Sequence, residues 1–282
     1  MKMFKLRDFI DRTKLSQISR NPRVFYLEKN TYEIRWDWVS LSENSNAIYL
    51  LEQNRDKIDW RCLSANPGAI HLLEKNIDKI NWDWLSANPG AIHILEKNID
   101  KICWCYLSYN PCAISLLEKY PEKINWNSLS ANPGAIHILE KNIDKINWNW
   151  LSANPNAIPL LEKYPEHINW DALSSNPNAI HLLEKNINRI HWAWLSKNPN
   201  AIPLLEKYPD FINWCYLSIN PNAMDLLEKK QHEIYWCMLS LNPSIFVYDY
   251  EGMKRSRELL TEELMQERFH PKHIDKFEAW GF

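Results

Sequence analysis

The feature that most constrains this chain is a Trp that returns every 22 residues, at 60, 82, 104, 126, 148, 170, 192, 214 and 236, with no insertion or deletion. Trp38 fits the same register one step earlier. Leu follows each repeat Trp after three residues, from Leu63 to Leu239, and Ser comes next. Asn-Pro then appears from Asn66-Pro67 to Asn242-Pro243, followed in most units by Ala, Ile and a Leu-Leu-Glu-Lys type run. A fixed period of this length is the mark of a solenoid and overrides the domain count that 282 residues would suggest. A slower beat lies on top of it. Tyr120-Pro121, Tyr164-Pro165 and Tyr208-Pro209 are 44 residues apart, and the units between them carry Asn-Ile, as at Asn142-Ile143.

Each unit reads as two short helices. The residue before Trp is Asn81, Asn125, Asn147, Asn169, Asn213 or Asp59, whose side chains accept hydrogen bonds from free N–H groups at a helix start. Trp and the Leu three positions on share one face. Asn-Pro then stops this helix, because proline pushes the preceding residue out of the helical region. Asn as cap and Pro at the first position suit the start of the second helix. Pro159 and Pro203 shift that start to Asn156 and Asn200. Neither helix is stable alone at about two turns, so units must bury Trp, Leu, Ala and Ile against one another. One Trp covers roughly 150–250 Å², a gross contribution of roughly 4–6 kcal/mol per unit. A leucine-rich repeat is the rival, since Ile80-Asn81-Trp82-Asp83-Trp84 alternates like a strand. The second Trp of that stretch becomes Cys62, Ser128 or Ala172 elsewhere, which an inward strand position would not tolerate.

The expected fold is therefore an all-α solenoid of about ten 22-residue two-helix repeats with N- and C-terminal caps. Residues 1–35 hold a degenerate copy, with Asn21-Pro22 and Leu27-Glu28-Lys29-Asn30 echoing the motif. Residues 36–242 are the tandem repeats, and 243–282 form the C-terminal end, with a capped helix expected over Thr261–Phe269. An open stack of such units measures roughly 90–100 Å.

Charge and composition narrow the function classes. Lys plus Arg is 33 against 35 Asp plus Glu, which speaks against a dedicated binder of phosphate backbones. No run of 18 apolar residues predicts a membrane span, and the charged N-terminus does not resemble a secretory signal. The six Cys have no zinc-type spacing, which suits reduced thiols in a cytoplasm-like compartment.

The motif W-x-x-L-S-x-N-P-x-A-I-x-L-L-E-K resembles the short tandem-repeat proteins of giant DNA viruses of amoebae, the mimivirus-like group. The ending Phe269-His270-Pro271, Phe277 and Trp280-Gly281-Phe282 is similar to one found there. The likeness spans roughly residues 36–282. It implies a helical solenoid and a viral origin, with the host cytoplasm or the virion as location, and brings no catalytic residues with it.

A repeat position becomes a line along a solenoid, so chemistry must be sought line by line. His71, His93, His137 and His181 share one line, read as a solvated outer surface rather than a metal site. Cys103, Cys105 and Cys112 fall in one unit but do not converge on a helix, and Cys215 and Cys237 lie one unit apart. The Glu line from Glu52 to Glu228 reads as salt-bridged or solvated, since Lys follows all but the first. Neither a Gly-rich phosphate loop nor a nucleophile elbow is present. No catalytic, cofactor or metal residue is assigned, and the chain is read as a non-enzyme. The line two residues after each Trp is different, with Trp84, Tyr106, Trp150, Trp194, Tyr216 and Met238 among smaller residues. Variable residues at one point of a constant scaffold encode partner choice, and aromatic residues are enriched at binding hot spots. The expected function is a protein–protein interaction scaffold binding a host or virion protein. Alternatives are a nucleic-acid reader that stacks bases on the same rings, a structural virion component, or packing of the rings between units. Sequence leaves the oligomeric state and the concave side open.

Overall fold

The structure is a computed structural model that describes residues 4–11, 17–23, 36–248, 250–251, 253–255 and 257–258. The segment expected to form a C-terminal helix over 261–269, and the Leu27–Asn30 echo, lie outside these residues. Within them the chain is an all-α repeat solenoid of short packed helices, with only two short strands. The unit around Trp82 illustrates the rest. Its first helix is Trp82–Ser86, a 3-10 turn covers Pro89–Ala91, the second helix is Ile92–Glu96, and a closing 3-10 turn covers Ile99–Lys101. The alternating stretch at Ile80–Trp84 is thus a turn end entering a helix, not a strand.

Local sequence explains these boundaries. The side chains of Asp59, Asn81, Asn125, Asn147, Asn169 and Asn213 each accept a hydrogen bond from the backbone N–H three residues on, as expected of N-caps. His191 does the same through its ring. Pro159 and Pro203 do fall in the tolerant first turn, but the helices Ile158–Lys163 and Ile202–Lys207 are entered from Ala157 and Ala201, not from Asn156 and Asn200. Those two Asn amides instead reach back to the carbonyls of Pro133 and Pro177 in the unit before, at 2.9 Å each.

The core is a continuous spine of Leu, Ala and Ile, repeated as in Leu85, Ala91, Ile94, Leu95 and Ile102. The repeat Trp side chains only border it. They are half-buried, so the full area expected per indole is not removed from water. In most units a cation or ring 19 residues later covers one indole face: Lys79 lies 4.6 Å from the Trp60 ring centre, Lys145 4.5 Å from Trp126, and Phe211 stacks on Trp192 at 4.8 Å.

The fully buried polar residues hold the units in register. Asn88 donates through Nδ2 to the carbonyls of Ser64 (2.9 Å) and Asn66 (3.0 Å), while its Oδ1 accepts from Gly90 N–H (3.0 Å). Ser86 donates to the Trp82 carbonyl at 2.7 Å and accepts from the backbone N–H of Cys103 in the next unit at 3.0 Å. These contacts recur along the stack, so every rung is tied to its neighbours by bonds that leave no buried side-chain N or O atom unpartnered among the described residues.

The ladder returns to its start. Asn44 donates to the carbonyls of Ser19 and Asn21, at 3.3 and 2.9 Å, so the degenerate copy is the rung before it. Asn21 in turn donates to the carbonyls of Ser240 and Asn242 at 2.9 Å each, the same two bonds that every rung from Asn88 to Asn242 makes to the units before it. The rungs Asn21, Asn44, Asn66, Asn88, Asn110, Asn132, Asn154, Asn176, Asn198, Asn220 and Asn242 thus form a closed ring. Strand β1 (Phe4–Leu6) pairs antiparallel with β2 (Phe246–Tyr248) across the seam. Arg7 adds hydrogen bonds to the carbonyls of Ile245 and Ser244 and lies 3.8 Å from Asp225. The extended stack expected from the repeats does not form, because each unit turns through about one eleventh of a circle and the two ends meet. First helices of successive units pack directly on one another along the stack, and more closely than successive second helices do. The first helices therefore make the inner, narrower wall.

Candidate functional site

The line two residues after each Trp lies on these inner-wall helices. It is surface, not core. Trp150 is 55% exposed, Tyr106 42%, Trp194 40% and Tyr216 37%, while Trp84 and Met238 are half-buried. Exposed indole is expensive in water, so the exposure of several rings at one repeat position calls for an explanation. The rings also pack on one another between units. Trp84 stacks on Tyr106 at 6.4 Å and Trp194 on Tyr216 at 6.3 Å, both nearly parallel. Surface exposure and packing between units are therefore both true of this line.

Each stacked pair carries a cation. Arg61 lies 5.4 Å from the Trp84 ring centre and Lys197 4.1 Å from that of Trp194. Burial against that indole lowers the Lys197 pKa from its ordinary value. Trp150 has different neighbours: Ser128 and Ala172, one unit to either side, are half-buried and small. The most exposed indole of the line thus stands between two shallow gaps. Around it the polar groups are amides: Asn147 donates to Asn127 Oδ1 and Asn169 to Asn149 Oδ1, both at 2.9 Å.

The other lines are accounted for locally. His71, His93, His137 and His181 are about half exposed, and the Nε2 of each meets a Glu of the preceding unit, at 2.8–3.1 Å. Their partners Glu52, Glu74, Glu118 and Glu162 therefore join units. Among the described residues these Glu do not pair with the Lys that follows three of them. Among the described residues no three His, Cys, Asp or Glu side chains gather as a metal ion would require. All six Cys are unbridged. Cys62, buried on the same line as Trp84, has its thiol pKa pushed up to about 12 by burial and by the nearby Asp59 and Glu43 carboxylates, so it stays a neutral thiol. Cys105 is exposed beside Ser128, 3.3 Å from its hydroxyl. No helix among the described residues is long and apolar enough to cross a membrane.

Sequence reasoning found the aromatic line but not its cations. Arg61 and Lys197 are single departures on lines otherwise occupied by other residue types, and only the fold brings them to the rings. No family model, no curated protein and no solved structure matches this chain.

Proposed function

We propose that the ring is a non-enzymatic interaction scaffold, of giant-virus origin, that binds a host or virion protein through the inner-wall aromatic line. Its setting is the host cytoplasm or the virion. The observation that carries this reading is the exposure of Trp150, Trp194, Tyr106 and Tyr216 at one repeat position on a scaffold whose Leu and Ala spine is closed. Large rings placed this way supply contact area at low entropic cost, which is how interface hot spots work. Arg61 and Lys197 favour, at two points only, the reading in which the rings stack on nucleic acid bases. Asp83 and Asp171 on the adjoining position oppose a continuous basic track.

The test is capture from infected host cells with the full chain and with Trp150→Ala/Trp194→Ala as parallel baits. The double variant is expected to lose the captured protein by about tenfold or more, since each lost hot-spot ring costs about 1–2 kcal/mol or more. Equal capture by both baits removes the aromatic line as the binding surface. Capture that survives nuclease treatment favours protein over nucleic acid.

A further inference from the structure

The 44-residue beat belongs to a different surface. In three of the four units ending Asn-Ile, the side chains of Ile99, Ile143 and Ile187 pack against the core, while Ile77 in the fourth is exposed. Pro121 and Pro165, at the same position, are exposed. The Ile that closes each unit shows the consequence. Ile58, Ile80, Ile102, Ile146, Ile190, Ile212 and Ile234 are buried, whereas Ile124 and Ile168, just after those two prolines, pack against the core but are only partly buried.

At the first of these junctions a groove of about 340 Å³ opens. Ile124, Trp126, Leu117 and Ile138 supply its apolar lining, and Lys141 and Lys145 supply its charge. The one carboxylate lining it, Glu118, is engaged by His137 at 3.0 Å. Lys145 lies over the Trp126 ring, and Lys141 has no acidic partner among the described residues. The second junction repeats these residue types: Leu161, Ile168 and Trp170 with Lys185 and Arg189, the latter 5.1 Å from the Trp170 ring centre. There too the acid is engaged, Glu162 by His181 at 3.1 Å. The third junction does not repeat them. Ile212 is buried, Phe211 lies flat on Trp192, and Asp225 and Glu233 stand where His137 and Lys145 stand in the first.

We infer that the groove after Tyr120-Pro121, and the matching set of residues after Tyr164-Pro165, are two equivalent sites for an acidic peptide presenting an apolar side chain beside a carboxylate. The apolar lining around the partly buried Ile takes the apolar group, and the paired cations take the acid by charge complementarity. This surface is separate from the aromatic line, so either can fail without the other.

The full chain carrying 5-fluorotryptophan tests it by fluorine NMR, with signals assigned through Trp126→Phe, Trp170→Phe and Trp214→Phe. The probe is acetyl-Leu-Asp-Leu-Asp-amide. Trp126 and Trp170 are expected to shift saturably, with a Kd of about millimolar, while Trp214 at the third junction stays still. Lys141→Glu/Lys145→Glu, both exposed positions, is expected to weaken the Trp126 response by about tenfold and leave Trp170 unchanged. Acetyl-Leu-Asn-Leu-Asn-amide is expected to bind both sites about tenfold more weakly. The inference is overturned by absence of a saturable shift, by an equal response at Trp214, by equal binding of the amide peptide, or by a Lys variant that binds as before.

Discussion

Asn132→Ala is expected to lower the unfolding free energy by about 3–5 kcal/mol. Asn132 is fully buried, and its amide holds three groups at once. It donates to the carbonyls of Ser108 and Asn110, at 3.0 and 2.9 Å, and accepts from Gly134 N–H at 2.9 Å. Alanine leaves backbone groups buried without those partners, and each such loss costs about 1–3 kcal/mol. Asn127→Ala is the control: that side chain is exposed, its bond to Asn147 lies at the surface, and a change within about 0.5 kcal/mol is expected. Urea denaturation of the two variants decides the matter. Similar losses in both would mean that the buried amide line does not hold the units together.

The same substitution at Asn21 separates a closed ring from an open stack with loose ends. If the degenerate copy were a frayed cap, Asn21→Ala would cost almost nothing. In the ring, Asn21 makes the same bonds as Asn132, to Ser240, to Asn242 and from Arg23 N–H. A loss of about 3 kcal/mol is therefore expected, close to that of an interior rung. A denaturation midpoint indistinguishable from the unchanged chain would rule out the seam as a working rung.

Much of this was legible in the residues. The 22-residue period gave the unit, Asn and Asp before Trp gave the caps, and the exposed aromatic line was visible as variation at one fixed position. The closure was not, because curvature comes from a small rotation at each step that no single unit encodes. One signal was available. Ser and Asn stand in every unit from Ser42 and Asn44 to Ser240 and Asn242 although both are polar, and Ser19 and Asn21 keep them where Trp and Leu have been lost. Polar residues held that strictly inside an apolar repeat indicate bonds between units, and their survival in the first copy indicates that this copy is a rung. The Trp was over-read for a related reason. Its regularity reflects a platform shared with a Lys, Arg or ring 19 residues on, so it borders the core instead of filling it.

A disulfide across the seam tests the ring most directly. Lys5 and Val247 are paired in the β1–β2 register, and directly opposed residues of antiparallel strands have Cα atoms about 4.5–5.5 Å apart, within disulfide reach. In a chain whose own six Cys are changed to Ser, Lys5→Cys/Val247→Cys is expected to form an intramolecular bond in dilute solution, seen by mass and by mobility on a non-reducing gel. In an open arc these residues would sit up to roughly 90–100 Å apart. Thiols that stay free, or that link only chain to chain, would contradict the closed ring.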